Sequence, residues 1–97
     1  FLDDVNRKAG LMRQKLEGLV ASHPDVFESV RGSGLMLGLK CTATNSDVVA
    51  AGYRHEVITV PAADNVIRLL PPLNITDEDI AEAVSRLDQA ASSLAAG

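Results

Sequence analysis

Val26-Phe27-Glu28-Ser29-Val30-Arg31-Gly32-Ser33-Gly34-Leu35-Met36-Leu37-Gly38-Leu39-Lys40 is the stretch on which the reading of this 97-residue chain turns. Upstream of it, apolar residues recur every three or four positions; inside it the period shortens. Two β-type runs emerge, Val26 to Arg31 and Leu35 to Lys40, with Gly32-Ser33-Gly34 between them. Short turn residues separating two such runs predict a β-hairpin.

Before the hairpin, Leu2, Val5, Ala9, Met12, Leu16 and Leu19 fall on one stripe of a helix of about five turns. Asp3 and Asp4 sit at the positive end of its dipole, and Ser22-His23-Pro24 ends it, because the residue before proline disfavours the α region. After the hairpin, Asn45 or Ser46 is expected to cap a short helix running to about Arg54. Val57 to Val60 and Val66 to Leu70 read as two further strands, joined by Pro61-Ala62-Ala63-Asp64-Asn65 and closed by Pro71-Pro72. Thr76 with Asp79 three residues on has the form of a capping box. Ile80, Val84, Leu87, Ala91 and Leu94 then give the last helix its inward stripe, with Ser92 to Gly97 expected to fray. This order predicts an α+β fold: a small sheet of about four strands, mostly antiparallel, with helices packed on one face. Residues 1–97 are expected to form a single domain.

Composition narrows the function. Hydrophobic residues make up 46% of the chain and charged ones 23%, the balance of a globular domain. Aromatic residues are 3% and the formal charge is −4, so neither stacking platforms for bases nor a basic footprint is present. Nucleic acid and anionic membranes are therefore not expected partners. Apolar runs fall far short of the roughly 20 residues that cross a bilayer. Cys41 is the only cysteine, which leaves no internal disulfide and fits a reducing, cytoplasmic setting. The chain opens directly into a helical pattern with no initiator methionine, as expected for the tail of something longer.

Few side chains carry chemistry. Gly32-Ser33-Gly34 invites a phosphate-loop reading, but a dinucleotide fingerprint needs a third glycine where Leu37 stands and a helix where a strand is predicted. A plain turn accounts for it. His23 and His55 have no metal-ligand spacing and read as surface residues, and Ser22, Ser29, Ser33 and Cys41 lack a nucleophile context. No catalytic set, cofactor-binding set or metal site assembles from these residues. Arg68 differs, because it lies mid-strand between Val66-Ile67 and Leu69-Leu70, where a guanidinium is costly unless an anion meets it. Two readings stand: an edge-strand arginine whose head reaches water, or a receptor for a carboxylate, which suits arginine's two-pronged donor geometry.

The stretches Val30 to Leu39 and Asp64-Asn65-Val66-Ile67-Arg68-Leu69-Leu70-Pro71-Pro72-Leu73-Asn74-Ile75-Thr76 closely resemble the C-terminal small domain of class III pyridoxal-phosphate aminotransferases, and the likeness runs from Phe1 to about Leu94. The resemblance implies that a large domain outside this chain holds the cofactor and supplies its lysine. Lys8, Lys15 and Lys40 match no such position, so this segment alone is expected to be inactive and to bind no cofactor. It implies a homodimeric whole enzyme acting on small-molecule amino acids and 2-oxo acids, and docking of the first helix and the sheet on the large domain. The nearest implied reaction moves the terminal amino group of N-acetylornithine to 2-oxoglutarate, with succinylornithine, ornithine and 4-aminobutyrate as other donors. It assigns Arg68 to the α-carboxylate of glutamate or 2-oxoglutarate, while N-acetylornithine places its own carboxylate elsewhere. The rival reading is a stand-alone carboxylate-binding or interaction module, separated from the first by the mass of the natural product.

Overall fold

The three-four spacing of apolar residues near the start of the chain forms α1, Leu2–Ser22, which buries Ala9, Met12, Leu16 and Leu19. The computed structural model describes residues 2–34, 36–69, 71 and 74–96. Expectations that fall on Phe1, Leu35, Leu70, Pro72 and Gly97 lie outside them. Leu2 was expected on the buried stripe but is 73% exposed. Burial of α1 starts only at Ala9, its first two turns being exposed or half-buried. There Arg7 Nη1 donates to Asp77 Oδ2 (3.0 Å) at the start of the last helix.

The hairpin consists of β1, Phe27–Ser33, and β2, Met36–Cys41. Its first strand runs two residues further than the sequence predicted. Gly32 stays in the ladder opposite Leu37, at a φ of +95° that only glycine adopts readily. A Cβ there would stand 2.2 Å from the Met36 carbonyl oxygen. Arg13 of α1 donates to the Gly32 carbonyl, tying helix to hairpin.

Next come α2, Asn45–Arg54, β3, Val60–Ala62, a 3-10 turn, Ala63–Asn65, β4, Val66–Arg68, and α3, Asp77–Ala96. The N-cap of α2 is Thr44, without a side-chain cap bond, rather than Asn45 or Ser46. Asn45 is occupied elsewhere, donating to the carbonyls of Ala62 and Val66. β3 begins three residues later than predicted, because Val57 N–H bonds back to the Gly52 carbonyl and so belongs to the end of α2. Pro61 is compatible with the strand because β3 lies at the sheet edge, where a missing N–H leaves no ladder bond unmade. The α3 capping box forms as read: Asp79 N–H donates to Thr76 Oγ1 (3.1 Å) and Thr76 N–H to Asp79 Oδ2 (3.2 Å). Instead of fraying after Ala91, α3 continues through Ala96.

The four strands form one open sheet, β1-β2-β4-β3, antiparallel throughout. Alternation splits its residues cleanly. Leu37, Leu39, Cys41 and Ile67 point to one face, where they meet Met12, Leu16 and Leu19 of α1, Val48 of α2 and Ile80 and Leu87 of α3 in a single core. The α+β prediction, with helices on one face, describes this architecture. Among the described residues, no α-helix packs on the opposite face.

Candidate functional site

On that open face, β1, β2 and β4 are in a register that aligns Arg31, Gly38 and Arg68 across three strands. Directly opposed residues of antiparallel strands project to the same side, so the two arginines flank a glycine. Gly38 has a structural reason to be glycine: a Cβ would lie 2.9 Å from the Ile67 carbonyl oxygen and 3.0 Å from Val66 Cγ1. The result is a floor without a side chain beneath a pocket of about 330 Å³. Arg31, Met36, Gly38, Asp64, Val66 and Arg68 are among its lining residues.

Arg68 is exposed and has no hydrogen bond or ion pair to the described residues. The sequence left it between a solvated edge residue and an anion receptor. The structure puts it on β4, an inner strand, at the pocket wall. Its two fellow cations are engaged. Lys40 Nζ lies 2.9 Å from Asp64 Oδ1 and also donates to the Asp64 carbonyl, and Arg31 Nη1 is 3.7 Å from Asp64 Oδ2. The Lys40 ammonium and, secondarily, the Arg31 guanidinium hold the Asp64 carboxyl below the usual carboxylate range.

Asp64 is aimed by the turn it occupies. Asp64 and Asn65 both have left-handed backbones, φ +64° and +58°. The Asn65 side chain donates to the carbonyls of Cys41 and Ala43 (2.8 Å each) and accepts from Asn45 N–H (2.7 Å). Together with Asn45 this fastens the β3–β4 turn to the end of β2 and the start of α2.

Arg31, Gly38, Lys40 and Asp64 escaped the sequence reading as site residues. The usable signal was an Asp-Asn pair, types that tolerate left-handed conformations, between two strands. The remaining candidates stay apart from the pocket. His23 is no free surface residue, since its Nε2 lies 2.6 Å from Asp88 Oδ1 and joins α1 to α3. Cys41 is buried, and desolvation pushes its thiol up to about 11, which makes it a poor nucleophile. No cluster of three or more His, Cys, Asp or Glu among the described residues is arranged to hold a metal. No helix among them is long and apolar enough to cross a membrane.

The arrangement offers one uncompensated, two-pronged cation over a shallow floor, which is chemistry for seating a carboxylate. The family model for aminotransferase class-III matches residues 1–91. The chain is 65% identical over 94 residues to acetylornithine aminotransferase of Rhodobacter capsulatus, covering 97% of this chain and 24% of that protein. It is 53% identical over 95 residues to that of Mesorhizobium japonicum, covering 98% and 24% respectively. The crystal structure of N-acetylornithine aminotransferase from Stenotrophomonas maltophilia K279a superposes with a TM-score of 0.87 at 31% identity, over 97% of this chain and 27% of that one. The chain thus spans about a quarter of the length of the curated relatives it matches.

Proposed function

The chain belongs to the class-III aminotransferases, and from that premise we infer that it is the C-terminal part of an enzyme transferring the terminal amino group of N-acetylornithine to 2-oxoglutarate. The observation that carries this reading is the 65% identity, over 97% of the chain, to a relative named for that substrate. In this reading Arg68 receives the α-carboxylate of glutamate or 2-oxoglutarate. Its guanidinium binds and orients that group through two parallel N–H donors, while Gly38 leaves room for it. The donor N-acetylornithine places its carboxylate outside this chain.

Class-III aminotransferases depend on pyridoxal phosphate as a family. We propose that the residues of this chain do not make a seat for it. Lys40, the lysine beside the pocket, is held by the carboxylate and carbonyl of Asp64, and Lys8 is paired with Asp4. The lysine and the phosphate contacts are accordingly assigned to the three-quarters of the protein that this chain lacks, and no chemical step is assigned to the chain itself. The helix-free sheet face, with exposed Met36 and Val60, is where that larger part is proposed to pack. A homodimer in the cytoplasm completes the reading, and the single buried Cys41 fits a reducing compartment.

The test supplies the full-length protein with 2-oxoglutarate and each candidate donor in turn. N-acetylornithine is expected to give the highest kcat/KM. A higher value for ornithine, succinylornithine or 4-aminobutyrate would reassign the donor. A natural product no longer than this chain would favour a carboxylate-binding module instead.

A further inference from the structure

Asp64 is held over the open face by a turn whose other left-handed residue, Asn65, is employed in the fold. Asn65 spends its side chain on the carbonyls of Cys41 and Ala43 and on Asn45 N–H, which accounts for its left-handed backbone. Asp64 adopts the same unfavourable conformation, φ +64° and ψ +31°, yet its carboxylate engages only Lys40 and Arg31. A non-glycine residue kept in this region by its surroundings marks a position where side-chain placement matters.

The consequence is electrostatic. Register puts Arg31 and Arg68 on either side of Gly38, and Lys40 lies two residues along β2 on the same face. Arg31 and Arg68 therefore line one small pocket, and Lys40 stands beside it, paired with Asp64 of its lining. Among the described residues of this face, Asp64 pairs with two of these cations, its one negative charge shared between two positive ones, and Arg68 has no such partner. Without the Asp64 carboxylate, two positive charges in the pocket wall and a third beside it would face the ligand with no carboxylate between them. That field favours a more highly charged group such as phosphate over a carboxylate group at the same place. The depressed titration of Asp64 keeps it charged throughout the neutral range.

We propose that Asp64 is a specificity-determining residue: by engaging Arg31 and Lys40 it fits the pocket to a singly charged carboxylate group at Arg68 and disfavours a more highly charged group, such as phosphate, in the same place. The proposal rests on the reading of Arg68 as a carboxylate receptor. It adds a residue that touches no substrate and acts by engaging the cations that would otherwise bind.

Asp64→Asn is the direct variant, because asparagine tolerates the left-handed backbone and removes only the charge. Asp64→Gly, which takes the same backbone without strain, guards against misfolding of the first. In the full-length enzyme carrying its cofactor, acetate and inorganic phosphate are titrated as inhibitors of the glutamate half-reaction. Both variants are expected to strengthen inhibition by phosphate about tenfold while changing inhibition by acetate less than about twofold. Adding Arg31→Gln to Asp64→Asn should remove most of the gain. An unchanged ratio of phosphate to acetate inhibition in both variants would overturn the proposal. Arg68→Ala separates the two layers of the argument. If it weakens acetate while the Asp64 variants leave the ratio unchanged, only the role of Asp64 fails. If it leaves acetate inhibition untouched, the receptor reading itself falls, and this proposal with it.

Discussion

The two faces of the same four-stranded sheet are built on opposite principles. Under the helices, Leu37, Leu39 and Ile67 are all but fully buried and meet side chains from all three helices. On the other face, one residue away along the same strands, stand Gly38 and three cations, of which Arg31 and Arg68 are exposed and Arg31 and Lys40 are paired with Asp64. The contrast separates what makes the domain fold from what makes it useful. Burial of apolar area supplies stability on one side, and exposed ion pairs contribute little to it. The open face is accordingly free to be arranged for a ligand.

The sharpest way to break this comparison is to cut into the covered face. Leu39→Ala removes a side chain with no exposed surface and is expected to cost about 2–5 kcal/mol, read from the shift of the denaturant midpoint. A loss well below 1 kcal/mol would mean that the helix layer is not the source of stability. Gly38→Ala, its neighbour on the open face, adds one methyl against the Ile67 carbonyl and the Val66 side chain. An intermediate loss of about 1–3 kcal/mol is expected, with weaker carboxylate binding in the full-length protein, since the pocket floor rises. Stability lost with binding intact would sever Gly38 from the site.

The smallest effect belongs to the ion pairs. Asp64 titrates below its unfolded value in the folded chain, so its contribution is present above the ordinary carboxylate pKa and fades as pH falls through the lowered one. Between about pH 7 and pH 3, the parent is therefore expected to lose slightly more stability than Asp64→Asn. A crossing in the opposite direction would show that Lys40 and Arg31 do not stabilise the charged form.

How much of this was legible beforehand follows the same division. The Thr76–Asp79 capping box, the long amphipathic helices and the hairpin are written in residues three or four apart, or in alternation along one run. Local chemistry suffices to read them. The bounds of β3 were misread because Val57 bonds to Gly52 and pairing starts only where Val60 meets Arg68, neither of which has a spacing signal. Arg68 stood out because a charge interrupts an apolar strand. Asp64 did not, since its meaning depends on Lys40 and Arg31, 24 and 33 positions earlier, brought together by register and a left-handed turn.

Arg68 on the open face remains the centre of the account, and separate half-reactions of the full-length enzyme test it most directly. Arg68→Ala is expected to weaken 2-oxoglutarate and glutamate about ten- to a hundredfold, the loss of a charge-assisted two-pronged hydrogen bond. N-acetylornithine should be affected far less, and Arg68→Lys should recover only part of the loss, because one ammonium cannot match both carboxylate oxygens. Equal losses for both substrates would contradict the account and make Arg68 a support of the fold rather than the receptor of a carboxylate.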